Sequence, residues 1–149
     1  MLRTSDDAER TVGAVVRAVL VPYLTHSDRI AVSNVSIPLS RQPALALALM
    51  VNELATNAAK YGALSTASGK VLIEGLLTSE DTFQLTWREV GGPPVTPPAK
   101  TSYGTRFIQG SAAGLGGAAV FHYEPEGLRC VITMEESQLH PTAGNGRTD

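Results

Sequence analysis

The stretch Val51-Asn52-Glu53-Leu54-Ala55-Thr56-Asn57-Ala58-Ala59-Lys60-Tyr61-Gly62 concentrates side chains that can do chemistry. At about 3.6 residues per turn, a helix places Glu53, Asn57 and Lys60 on one face and Leu47, Val51, Leu54, Ala58 and Tyr61 on another. The first face then carries a carboxylate, an amide and an ammonium within two turns, a trio that suits a magnesium nucleotide. An amide oxygen ligates Mg2+ without adding charge, and Mg2+ takes few protein groups together with phosphate oxygens. The Lys60 ammonium offers a point charge to phosphate, and Tyr61, at the helix end, can present its ring to a base. The same spacing also fits an ordinary solvated helix face, and spacing alone favours that plainer account. Two details tell against it. Asparagine is a poor residue inside a helix, so Asn57 costs some helix stability. Asn52, Glu53, Thr56 and Asn57 also crowd polar groups into a segment otherwise rich in Ala and Leu.

Two glycine clusters follow further on. In Trp87-Arg88-Glu89-Val90-Gly91-Gly92-Pro93 an acid precedes two glycines. Glu89 can accept from the exocyclic amine of adenine while Gly91 and Gly92 let backbone approach the ring. A strand end with a turn explains the same residues, and Trp87 fits a core side chain. Tyr103-Gly104-Thr105-Arg106 opens a helix whose free amides can hold an anion, with Lys100 and Arg106 adding charge. A simple helix start capped by Ser102 or Thr105 is the alternative. Gly114-Leu115-Gly116-Gly117 is a helix stop and tight turn. There is no zinc-ligand spacing, no strand–GxxxxGK[ST]–helix phosphate loop and no GxSxG. His26, His122 and His140 are scattered, and none is assigned as ligand or phosphoacceptor. Cys130 lies in Leu128-Arg129-Cys130-Val131-Ile132 and is expected to be a small core hydrophobe.

These residues need elements to hold them. Asp6 or Asp7 is expected to cap a first helix running to about Leu20, with Val12, Val15, Val16, Val19 and Leu20 as its buried stripe and Pro22 as its end. Residues 30–35 alternate as a short strand. A long helix is expected from Pro43 to about Gly62. Strands over 70–77 and 82–90 form a hairpin around Ser79-Glu80-Asp81. The stretch 91–103, with four prolines and two glycines, is a loop. A helix over about 104–113 follows, then a hairpin of strands 118–123 and 128–135 turned by Pro125-Glu126-Gly127. The tail from Ser137 is polar and expected to be disordered. Hairpins imply antiparallel or mixed pairing, with helices on one face: a two-layer α/β sandwich and not a doubly wound parallel sheet.

The bulk properties agree with one domain. The chain has 149 residues, enough to bury roughly two-thirds of the surface its unfolded chain exposes. Hydrophobic residues make up 43% and charged residues 17%, with a net charge of −2. That balance argues against a protein that wraps nucleic acid. A lone cysteine cannot form an internal disulfide, which points to a reducing cytoplasm. No run of about 18 apolar residues and no signal peptide is seen.

Together the motifs resemble a known family. The run from Asn52 to Ser65 resembles the asparagine box of the HWE histidine kinases, members of the GHKL superfamily. The segment Trp87-Arg88-Glu89-Val90-Gly91-Gly92-Pro93-Pro94-Val95 resembles their Trp-x-Glu first glycine box. Tyr103-Gly104-Thr105-Arg106-Phe107-Ile108 resembles their second, and Gly127-Leu128-Arg129-Cys130-Val131-Ile132 the closing strand. The resemblance covers roughly residues 8–135. It implies a Bergerat-type sandwich with ATP between the long helix and a lid over about 92–103, poorly ordered without nucleotide. By the resemblance, Asn57 coordinates Mg2+, Lys60 contacts phosphate, Tyr61 lies against adenine and Glu89 reads the base. Gly91 and Gly92 admit the ring, and Gly104, Thr105 and Arg106 meet the phosphates. Glu53 stands where the superfamily's ATPases place a water-activating glutamate, whereas transfer to histidine requires water kept out.

The implied organisation is a loose start over 1–7, a catalytic domain over 8–136 and a tail over 137–149. The implied partners are ATP, a dimerisation helix carrying the acceptor histidine, absent from this chain, and a response regulator. No nucleic acid and no direct membrane contact are implied. This chain is then expected to be a monomer that binds ATP without autophosphorylating, in the cytoplasm. The family histidine at the start of the asparagine box is Asn52 here. A regulatory nucleotide-binding module without transfer and an anti-sigma-type GHKL serine kinase are the alternatives.

Overall fold

The computed structural model describes residues 10–24, 27–33, 35–78, 80–98 and 102–140. The caps expected at Asp6 or Asp7, His26, Lys100, part of the expected lid and the tail beyond His140 lie outside the described residues.

Helix α1 spans Val12–Leu20, and Thr11 opens it: its hydroxyl accepts from the Ala14 amide at 3.1 Å, satisfying one of the free first-turn donors. Val12, Val16 and Leu20 are fully buried, with Val15 and Val19 packed beside them. Pro22 falls in a short 3-10 turn, Val21–Tyr23. Strand β1 spans Ile30–Ser33 and is shorter than the alternation over 30–35 implies. The cause is α1, whose first amides turn to this segment: Val12 donates to the Ile37 carbonyl at 2.8 Å and Gly13 to the Val35 carbonyl at 2.6 Å. Those carbonyls are therefore spent on a helix start and not on the sheet.

Helix α2 spans Arg41–Lys60 and begins two residues before Pro43, whose missing amide costs nothing within the first turn. It buries Leu47, Met50, Val51, Leu54, Ala55 and Ala58. Strands β2 (Lys70–Leu77) and β3 (Thr82–Val90) form the expected hairpin at the expected bounds. Helix α3 spans Tyr103–Gly114, and β4 (Ala118–Glu124) and β5 (Gly127–Glu135) close the chain's second hairpin. The sheet order is β1-β2-β3-β5-β4, with β1 parallel to β2 and every other pair antiparallel.

One face of this mixed sheet is buried under the helices. On β3, Phe83, Leu85, Trp87 and Glu89 point inward, while Gln84, Thr86 and Arg88 alternate outward. Cys130, Ile132 and Met134 of β5 extend the same inner face. The result is the expected two-layer α/β sandwich. Cys130 is wholly buried, and burial pushes its thiol up to about 12. The expected tail starts later than Ser137. Residues Glu136–Leu139 form a short helix, α4, in which Leu139 is buried and its carbonyl accepts from the Ser40 amide at 2.8 Å. Burying one leucine contributes roughly 1.5–3 kcal/mol, enough to hold this turn against the mouth of α2.

Candidate functional site

The C-terminal half of α2, the end of β3 and the start of α3 converge on one region. Its floor is Glu89, the only buried charged residue among those described, at 3% exposure. Both carboxylate oxygens are engaged. The Trp87 indole Nε1 donates to Oε2 at 2.8 Å, and the Ala63 amide donates to Oε1 at 3.0 Å. Trp87 is two residues before Glu89 on the same strand and so shares its inner face. Ala63 reaches Glu89 because α2 stops at Lys60 and the chain turns through Gly62 into a 3-10 segment, Ala63–Ser65. Gly62 must be small: a Cβ there would overlap Glu89 Oε1 and lie 3.2 Å from its Cδ. Gly91 needs its glycine for conformation, at φ 76°, and Gly92 for space, since a Cβ would come 2.6 Å from Ala63 Cα.

Arg29 holds this turn in place. Its guanidinium donates to the carbonyls of Gly69 (2.9 Å), Ala63 (3.0 Å) and Thr66. The Thr66 and Ser68 hydroxyls donate to the Gly91 carbonyl at 3.3 and 3.4 Å, stitching the turn to the first glycine cluster. Neither Arg29 nor the Ala63 amide was marked by local sequence. Trp87 was marked only as core, which it is, at 1% exposure, although its spacing to Glu89 is visible in the sequence.

Glu53 and Asn57 form a second cluster one turn apart on α2. Asn57 Nδ2 donates to Glu53 Oε2 at 3.4 Å, which leaves the amide oxygen Oδ1 for a cation. The Glu53 carboxylate lies against Gly104 at the start of α3, where a Cβ would stand 2.7 Å from Glu53 Cδ. The second glycine cluster thus abuts α2 through Glu53. Its next residue turns elsewhere: Thr105 is bonded to Tyr123 on β4, and its amide donates to the Ser102 hydroxyl at 3.0 Å as a helix cap. Burial raises the Tyr123 hydroxyl above its ordinary range, partly offset by that Thr105 bond. Arg106 is exposed on the same first turn.

Lys60 is exposed on the last turn of α2, near Asn57. Tyr61 departs from the periodicity that put it with Leu47 and Leu54. It is 71% exposed, because it follows the last helical turn with φ −128° and ψ −17°. Its ring is free of the core. Among the described residues no group of three or more His, Cys, Asp or Glu forms. Among the same residues no helix is long and apolar enough to cross a membrane.

No protein-family model matches the chain. A blue-light-activated histidine kinase from Erythrobacter litoralis is 36% identical over 138 residues, covering 89% of this chain and 38% of that protein. Another, from Brucella anthropi, is 32% identical over 133 residues, covering 86% of this chain and 27% of its own length. The chain therefore spans well under half of either relative. Among solved structures, the histidine kinase domain of an Erythrobacter litoralis blue-light-activated histidine kinase superposes with a TM-score of 0.66 at 22% identity, over 85% of this chain and 60% of that one. Such a likeness fixes the fold, and the two relatives tie the sequence to the same proteins. Over most of its length the chain is similar to part of the blue-light-activated histidine kinases, and it has the fold of a histidine kinase domain.

Proposed function

We propose that this domain binds ATP with Mg2+ between the C-terminal half of α2 and the segment from Gly91 to α3, as the catalytic part of a sensor histidine kinase. The observation that carries the reading is Glu89. A carboxylate sunk into an apolar core is costly, and here it lies at the end of β3, held between the Trp87 indole and the Ala63 amide and followed by Gly91 and Gly92. Its oxygens suit the amine of adenine. Gly91 and Gly92 admit the base, and Tyr61, free of the core, stacks on it. Lys60 gives charge to phosphate. Gly104, Thr105 and Arg106 lie at the phosphate end.

Asn57 Oδ1 is the protein ligand for Mg2+, and the bound ion supplies charge neutralisation along the triphosphate. What the protein adds is position. α2 and α3 hold the phosphates at fixed depth while an acceptor histidine from a separate helix approaches in line. Glu53 lies against Gly104 of α3 and accepts from Asn57, which orients its carboxylate. The catalytic unit is residues 8–136 together with α4. The acceptor helix, a response regulator and a cytoplasmic setting complete the reading, with this chain alone a monomer.

The test is a calorimetric titration of MgATP into the wild type and Asn57→Ala. Losing one contact to a charged partner weakens binding about ten-fold or more. Equal affinities would remove the metal role of Asn57, and no binding by the wild type would end the reading.

A further inference from the structure

We infer that Trp87 is a positioning residue that sets the base specificity of the site by locking the Glu89 carboxylate in one orientation before any nucleotide arrives. The inference rests on the proposal that Glu89 reads the base.

The geometry has three parts. First, the indole is fixed. Trp87 is 1% exposed, and its register partners are Ile73 on β2 and Cys130 on β5, so both neighbouring strands pack beside it. A ring held this way cannot turn its N–H toward water. Second, that N–H has one acceptor, Glu89 Oε2, at 2.8 Å. Third, the opposite oxygen is held from another element by the Ala63 amide at 3.0 Å, and Gly62 leaves no slack on that side. A carboxylate with each oxygen pinned by a separate donor cannot rotate about its terminal bond.

This matters for selection. A carboxylate only accepts hydrogen bonds. Pinned in place, it welcomes a purine whose 6-position carries an amine. A purine with a 6-oxo group instead sets lone pair against lone pair in a desolvated site, which such sites reject strongly. If Oε2 lost the indole N–H, it would become a buried acceptor seeking a new partner. The carboxylate could then rotate or admit a water, and the 6-oxo ring would be bridged instead of refused. Trp87 thus acts on the difference between the two bases more than on binding as such.

The experiment compares the affinities of MgATP and MgGTP for the wild type and for Trp87→Phe, which keeps an aromatic core but has no N–H. The expected result is a wild type that prefers ATP and a variant whose ATP-to-GTP preference narrows about ten-fold. A merely structural role would weaken both nucleotides alike, so an unchanged ratio in Trp87→Phe overturns the inference while leaving the adenine reading intact. A wild type that binds both equally overturns the adenine reading and the inference with it. The chain has one tryptophan, so a second measurement needs no Trp87 variant. The single indole N–H resonance of the 15N-labelled protein should move upfield in Glu89→Gln and shift on adding ATP but not GTP. A resonance indifferent to Glu89→Gln overturns the lock.

Discussion

Adding one methyl group at Gly62 and one at Gly110 should move this domain in opposite directions. Gly62 lies at φ −113°, outside the left-handed region, so its requirement for glycine is spatial and not conformational. A Cβ there would overlap Glu89 Oε1 and stand 3.1 Å from Ala58 Cα. The carboxylate cannot yield cheaply, because Trp87 and Ala63 hold both oxygens and only 3% of the residue is exposed. Either Glu89 moves and loses a bond to a charged acceptor, about 1.5–3 kcal/mol, or the end of α2 shifts under overpacking of about 1–3 kcal/mol. The two routes share the strain, which puts Gly62→Ala at about 1–3 kcal/mol of destabilisation. For a chain near this length that is a fall in Tm of about 2–12 °C. A domain stable by about 5–15 kcal/mol survives it folded.

Gly110 is the control. It sits inside α3, exposed, with no atom within 4 Å of an added Cβ. Alanine there removes the entropy cost of a helical glycine and stabilises by about 0.5–1 kcal/mol, a rise of about 1–4 °C. Thermal unfolding followed by far-UV circular dichroism separates the two, and MgATP titration of Gly62→Ala should show weakened binding beyond any loss of folded protein. A Gly62→Ala domain that melts with the wild type and binds MgATP equally would refute the reasoning, because Glu89 would then have room to give.

Two further outcomes follow from the same contacts. Gly104→Ala should destabilise the domain by driving Glu53 off the start of α3, and Glu53→Ala should recover part of that loss; a double-mutant cycle that is additive would show that the two do not meet. Cys130, with its thiol pushed from an ordinary 9.0 up to about 12, should resist a thiol-labelling reagent in the native state near neutral pH, and fast native labelling would contradict its burial. The folded value is the higher one, so stability tied to this group is present below the ordinary value and drains as pH rises toward about 12, a loss that Cys130→Ala should remove from an alkaline melting series.

The parts of this fold legible in the sequence were those set by period and punctuation. The β2–β3 hairpin is legible at its observed bounds because Leu85 and Trp87 alternate with Gln84, Thr86 and Arg88 and because Asp81, at φ 61°, tolerates the turn. The body of α2 was legible because Leu47, Val51, Leu54 and Ala58 repeat at helical spacing. The ends of elements are less legible. Extending that period past Lys60 puts Tyr61 on the buried face, where the backbone has already left the helix. Leu139 is not legible in a polar tail because a single apolar residue gives no period, and the backbone bond to its carbonyl comes from Ser40, far away in the chain.

The site divides along the same line. Its acids, amide and glycines are visible as residue types, whereas the contacts that aim them span long separations. Ala63 meets Glu89 across 26 residues, and Arg29 reaches Gly69 across 40. A pattern read along the chain can propose that Glu89 accepts a hydrogen bond, but not which of its lone pairs are already taken. That occupancy decides what a carboxylate can recognise. With one oxygen committed to Trp87 and the other to Ala63, the direction left to Glu89 is set by the protein before a ligand arrives. Replacing Glu89 by aspartate should therefore do more than shorten a side chain. It withdraws the acceptor from two donors fixed on separate elements, and a glutamate at this position is what lets one side chain span the strand that carries Trp87 and the turn that carries Ala63.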